Sequence, residues 1–87
     1  MSASDLGHQR IVIYWTLYTD TGSPLACELS RTDRGLLLVR CLDHARKVLL
    51  SEGVATAANG AEVAARWKAQ LLTRRDYFER PRPAASS

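Results

Sequence analysis

The sequence predicts an α+β domain, a four-stranded antiparallel meander followed by one C-terminal helix packed on one face (ββββα). Three observations carry that prediction. The turn signal Thr-Asp-x-Gly occurs twice, as Thr19-Asp20-Thr21-Gly22 and as Thr32-Asp33-Arg34-Gly35. Each copy sits between runs of Leu, Val, Ile, Tyr and Cys. The last third of the chain carries an apolar stripe at helical spacing, with Trp67 at its centre.

The turn signal suits a three-residue hairpin loop: a type I turn, then a left-handed residue that glycine adopts without steric penalty. Asp suits the first positions of such a turn. Taking Asp20, Thr21 and Gly22 as the first loop places Thr19 opposite Ser23, Leu17 opposite Leu25, Trp15 opposite Cys27 and Ile13 opposite Leu29. Taking Asp33, Arg34 and Gly35 as the second places Thr32 opposite Leu36, Leu29 opposite Val39 and Cys27 opposite Cys41. The two registers agree. One face collects Ile11, Ile13, Trp15, Leu17, Leu25, Cys27, Leu29, Leu37, Val39 and Cys41, and a slip of one residue would scatter that set. On the other face Glu28 lands across from Arg40, an opposite-charge cross-strand pair.

Residues 46–54 predict a fourth strand. Its register is open, because Leu42-Asp43-His44-Ala45 carries no glycine. Cys41, Leu42, Ala45, Val48 and Leu49 also fit helical spacing with Gly53 as a stop, so a helix over 41–52 is the alternative. In the final element Asn59 and Glu62 fit a capping box. Val63, Ala64, Trp67 and Leu71 form the apolar stripe. Glu62 and Arg66 suit an i,i+4 pair, and Arg74 and Arg75 suit the last turn. Tyr77 and Phe78 are expected to fold back onto the sheet edge. Trp15 and Trp67 are expected to meet, or nearly so, in the core. Pro81 and Pro83 then end regular structure. The domain is thus expected over 10–79, with disordered ends at 1–9 and 80–87.

A chain of 87 residues is one domain, and one of this size is marginally stable without help. No stretch is long and apolar enough to span a membrane. Residues 1–5 lack the basic and apolar regions of a signal peptide, which places the chain in the cytoplasm. There Cys27 and Cys41 are expected to stay reduced as small buried hydrophobes. They would bridge only if their pair is of the non-hydrogen-bonded type. His8 and His44 have no ligand spacing with them, so neither a metal site nor a cofactor is expected.

The net charge of +3 is unevenly spread. Positions 66–87 hold six of the twelve Lys and Arg but only two of the nine acidic residues, so the positive charge lies on the helix and tail.

The stretch from Leu17 to Glu79 resembles a type of short, uncharacterised bacterial protein with a turn-rich strand block, a last strand like Leu49-Leu50-Ser51-Glu52, and a helix with a central Trp. Trp67 and Phe78-Glu79 complete the match. The resemblance implies four strands then a helix, and nothing about mechanism.

One helix covers one face of a four-stranded sheet. The other face is expected to carry Val12, Tyr14, Leu36, Leu38, Arg40 and Leu42. That patch is too apolar for an ordinary solvent face, and it predicts a homodimer or another protein partner. Arg66, Lys68, Arg74, Arg75, Arg80 and Arg82 could instead contact phosphates, with Tyr14 and Tyr18 stacking bases beside Arg40. The order of four strands then a helix is similar to that of the Pur-alpha repeat and the Whirly proteins, which bind single strands. Topology alone does not carry function. No nucleophile beside a base, no paired carboxylates at helical spacing and no glycine-rich phosphate loop is present, so no catalytic residue is assigned, although a site shared across a dimer is conceivable.

Overall fold

The computed structural model describes residues 8–80. Expectations for 1–7 and 81–87, Arg82 among them, lie outside the described residues. Four antiparallel strands form one open sheet in the order β1-β2-β3-β4: β1 is His8–Tyr18, β2 Pro24–Thr32, β3 Leu37–Leu42 and β4 Val48–Val54. Helix α1, Ala57–Thr73, packs on one face. β1 includes His8 and Gln9, two positions before the expected start of the domain.

Both Thr-Asp-x-Gly turns form as their chemistry dictates. Gly22 and Gly35 take φ of 87° and 82°. Their amides donate to the carbonyls of Thr19 and Thr32, both at 2.9 Å. Each threonine hydroxyl accepts the amide that leaves the turn, Ser23 and Leu36, at 3.1 Å. The β2–β3 register follows as expected, with Cys27 opposite Cys41, Glu28 opposite Arg40 and Leu29 opposite Val39.

In β1 the register holds from Leu17 through Trp15 and then departs. Two bulges intervene, one between Ile13 and Trp15 and one between Arg10 and Val12. Ile13 therefore faces Glu28 rather than Leu29, and Val12 takes the place opposite Leu29. The bulge re-aims side chains, so that consecutive aromatic residues both reach α1. The Tyr14 hydroxyl donates to the Ala57 carbonyl at 2.9 Å, and the Trp15 indole donates to that of Ala64 at 2.7 Å. Ile11 and Ile13, expected in the core, are 44% and 46% exposed. The bulges account for this correction, since the first exchanges the faces of the residues that follow it until the second, at Ile11, restores them.

The fourth strand is a strand, and the helical alternative over 41–52 does not form. Residues 46 and 47 belong to the preceding turn. Leu49 is the extra residue of another bulge, between the Cys41–Leu50 and Leu42–Val48 pairs.

Helix α1 begins a turn earlier than expected. Its N-cap is Thr56, whose hydroxyl accepts the Asn59 amide at 3.1 Å. Thr serves this role well, and Ala57 and Ala58 are strong helix formers. The early start brings Gly60 against the sheet. A Cβ there would come within 2.6 Å of the Tyr14 hydroxyl and 3.1 Å of Val39, so any other residue would have to displace both side chains. The helix also stops earlier: Arg74 is its C-cap and Arg75 follows in the left-handed region at φ 63°. Beyond it, Phe78 folds back and exchanges two 2.8 Å backbone bonds with Tyr18 on β1, as expected.

The core lies between sheet and helix. Leu17, Leu25, Cys27, Leu29, Val39 and Cys41 meet Val63, Ala64, Trp67 and Leu71, all buried. Each large side chain so buried contributes about 1.5–3 kcal/mol before entropy is charged against it. Trp15 and Leu37 pack at the margin of this cluster. Trp15 docks at Ala64, one turn before Trp67.

Candidate functional site: the open face of the sheet

No helix or strand among the described residues covers the second face, yet its centre is dry. Glu28 and Ser30 are fully buried, and Arg40 and Leu42 nearly so. Neighbouring side chains close this centre. Arg40 Nη2 donates to Glu28 Oε1 at 3.0 Å from one side. Arg46 brings its guanidinium to the same carboxylate from another, with Nη2 at 3.4 Å from Oε1 and Nη1 at 3.5 Å from Oε2. Ile13 stands opposite Glu28 on β1. A buried carboxylate is tolerated when paired in this way. The pairing is incomplete on one atom: Arg40 Nε is buried with no hydrogen-bond partner among the described residues.

Arg46 reaches Glu28 because of its turn. Asp43 N donates to Lys47 O and Arg46 N to Asp43 O, both at 3.0 Å. The Asp43 carboxylate accepts the amides of Ala45 and Lys47 at 2.9 Å. This is the same three-residue loop as the first two, with Asp in place of Thr and Arg in place of Gly. Arg46 occupies the left-handed region at φ 66°, an uncommon conformation for a residue with a Cβ. The backbone bond from Lys47, followed by that from Ala45, holds the Asp43 carboxyl below its usual range despite partial desolvation.

Around this centre the face exposes apolar side chains beside Arg10, Thr16, Ser51 and the half-exposed Arg46. Of the six residues expected to form the patch, Leu36 is 62% exposed, Leu38 is half-buried, and Arg40 and Leu42 lie beneath the surface. Val12 and Tyr14 are corrected to the helix side by the β1 bulges. Ile13 and Val48, the latter opposite Leu42 and 42% exposed, join the second face instead. The apolar part of the rim is therefore Ile13 on β1, Leu36 and Leu38 near and on β3, and Val48 on β4.

The basic residues do not form one free surface. Arg66 pairs with Glu52 on β4 at 2.8 Å, in place of the expected partner Glu62, and Lys68 pairs with Glu79 at 3.0 Å. Such exposed pairs contribute about 0–1 kcal/mol. Arg74, Arg75 and Arg80 make no ion pair among the described residues. Tyr14 is turned toward α1, away from any base-stacking surface on the second face.

An open cleft of about 380 Å³ lies at the turn end of the sheet, lined by Asp20, Ser23, Asp43, His44, Leu49 and Tyr77 among others. Asp43 is committed there to its turn. No three metal-ligating side chains converge among the described residues. Cys27 and Cys41 are free thiols, both buried. Burial pushes Cys27 up to about 12, with the neighbouring Cys41 adding to it, and Cys41 itself up to about 11.

No helix is long and apolar enough to cross a membrane among the described residues. No family model, no curated protein and no solved structure matches this chain.

Sequence reasoning reached Arg40, Leu36, Leu38 and Leu42 but missed Ile13, Val48 and Arg46. For Arg46 a signal was present. Asp43 is a side-chain acceptor at the position of Thr19 and Thr32, followed by a loop of the same length. For Ile13 no comparable signal exists, because nothing in residues 10–15 marks a bulge.

Proposed function

We propose that this chain is a small cytoplasmic interaction module with no catalytic role, which homodimerises through the second face of its sheet. The observation that carries the reading is the exposure of Ile13, Leu36 and Val48, at 46%, 62% and 42%, around a centre that is already buried. An apolar rim of this kind marks an interaction surface. Because Glu28 is paired within its own chain, a partner laid on the face need not supply a charge to the buried carboxylate. A two-fold contact needs only that the patch complement itself.

The test is molar mass in solution by light scattering, over a concentration series at low and high salt. The expected result is a dimer that persists at high salt, and a monomer of unchanged circular dichroism for Leu36→Asp. A wild-type monomer throughout would overturn the reading. One observation favours a second reading, single-stranded nucleic-acid binding: Arg74, Arg75 and Arg80, at and beyond the end of α1, make no ion pair among the described residues. That reading requires oligonucleotide binding that falls steeply with salt, and loses its support if none is detected.

A further inference from the structure

Cys27 on β2 and Cys41 on β3 stand directly opposite each other. In an antiparallel ladder, hydrogen-bonded and non-hydrogen-bonded pairs alternate, and side chains lie closer in the second kind. The second turn sets the phase. Thr32 N donates to Leu36 O, so that pair is hydrogen-bonded. Stepping outward through an unbroken register, Ser30–Leu38 and Glu28–Arg40 are of the same kind, and Cys27–Cys41 is of the other. The first turn gives the same answer independently. Thr19 N donates to Ser23 O, which makes Trp15–Cys27 a hydrogen-bonded pair. The backbone groups of Cys27 therefore point toward β1 and leave its β3 side unbonded. Opposed residues of this type have Cα atoms about 4.5 Å apart, within the range a disulfide spans.

We infer that Cys27 and Cys41 form a built-in disulfide site, which closes beneath α1 when the chain meets a low-molecular-weight disulfide. The reaction runs in two exchanges. A thiolate of one cysteine attacks the reagent RSSR, forming a mixed disulfide and releasing RS⁻. The opposite thiolate then attacks the protein sulfur of that mixed disulfide and releases the second RS⁻. Both leaving thiolates take up the protons lost by the cysteines, so two thiols are oxidised and one reagent disulfide is reduced to two RSH. The first exchange needs access. Both thiols are buried under Val63, Ala64, Trp67 and Leu71, and burial disfavours their thiolates. The reaction is accordingly slow in the docked state and fast once α1 lifts. The bond ties the two central strands on the helix side, so the open face keeps its surface, and the site operates whether or not that face dimerises.

The test uses the full chain refolded from urea in a mixture of reduced and oxidised glutathione, which removes access as a variable. Intact mass and tryptic peptides are then read. Trypsin cuts at Arg31, Arg34 and Arg40, so Cys27 and Cys41 fall in separate peptides that only a disulfide joins. The expected product is a single chain lighter by two hydrogen atoms, with those peptides linked. Its melting temperature should lie about 10 °C or more above that of the reduced chain, from the loop closed between 27 and 41. Starting from folded chain, the same product should form slowly, and faster with each increment of sub-denaturing urea. Glutathione retained on either cysteine, a bond between chains, thiols still free after refolding, or a bridged chain melting no higher than the reduced one would each overturn the inference.

Discussion

The two faces of the sheet are both dry at their centres, for opposite reasons. On the helix side, Leu17, Leu25, Leu29 and Val39 are covered by Val63, Trp67 and Leu71 from the same chain. Apolar burial is non-directional and scales with area, so volume matters more than identity there. On the other side, Glu28 sits between Arg40 and Arg46, and the charges themselves close the surface. Pairing is directional, and removing one member strands the others. One face is therefore finished within the chain by packing. The other is finished by pairing at its centre and leaves Ile13, Leu36 and Val48 exposed at its rim.

The largest expected effect tests the packed face. Trp67→Ala should destabilise by about 3–5 kcal/mol, most of the stability of a domain of this size, as measured by urea unfolding. A loss below about 1 kcal/mol would mean that α1 contributes little to closing that face. The paired face should break almost as badly from a far smaller change. Glu28→Gln preserves shape but leaves the Arg40 guanidinium buried without its carboxylate, and should destabilise by about 3 kcal/mol. The double variant Glu28→Leu/Arg40→Leu removes both charges and should recover most of that loss. If the double variant is as unstable as the single one, it is packing and not pairing that matters on this face, and the contrast between the faces fails.

The helix face also carries a pH signature. In the folded chain Cys27 and Cys41 ionise near 12 and 11, against an ordinary value of 9.0. The unfolded chain therefore loses these protons first as pH rises. Stability should be intact below about pH 9 and decline progressively from there toward pH 11–12. Cys27→Ala/Cys41→Ala should flatten that decline in reduced protein, followed by thermal melting at fixed intervals of pH. An unchanged slope would place its origin elsewhere.

The two faces also differ in how far the sequence disclosed them. The β2–β3 register and the helix-side core were legible, because Gly22 and Gly35 mark their turns and period-two alternation then assigns each side chain. Legibility ended at Tyr14. A bulge is set by tertiary demand, here the reach of Tyr14 and Trp15 to Ala57 and Ala64 across more than forty residues of chain, and local composition does not record it. The cap at Thr56 was missed for a related reason, since Asn59 offers an equally good local pattern. The approach of Gly60 to Val39 and the hydrogen bond from Tyr14 to Ala57 are tertiary contacts that accompany the earlier start. Burial of Glu28 depends on an arginine arriving from the third turn, and that turn lacks the glycine by which the others were recognised.

That third turn gives the finest test, because three loops of one geometry carry Gly, Gly and Arg at the left-handed position. Gly22→Ala and Gly35→Ala should each destabilise by about 1–2 kcal/mol, since both sites keep φ above 80°. At Arg46 two terms oppose each other. Its backbone carries a similar left-handed penalty, whereas its guanidinium supports Glu28 from a half-exposed position worth about 0–1 kcal/mol. Arg46→Gly relieves the first and forfeits the second, so its stability should fall within about 1 kcal/mol of the parent. Arg46→Ala forfeits the pair and keeps the strain, and should be the less stable of the two. Should Arg46→Gly fall as far as Arg46→Ala, the side chain and not the backbone would govern the turn. Should Arg46→Ala match the parent, the contact with Glu28 would contribute nothing, and Arg40 alone would hold the centre of the open face.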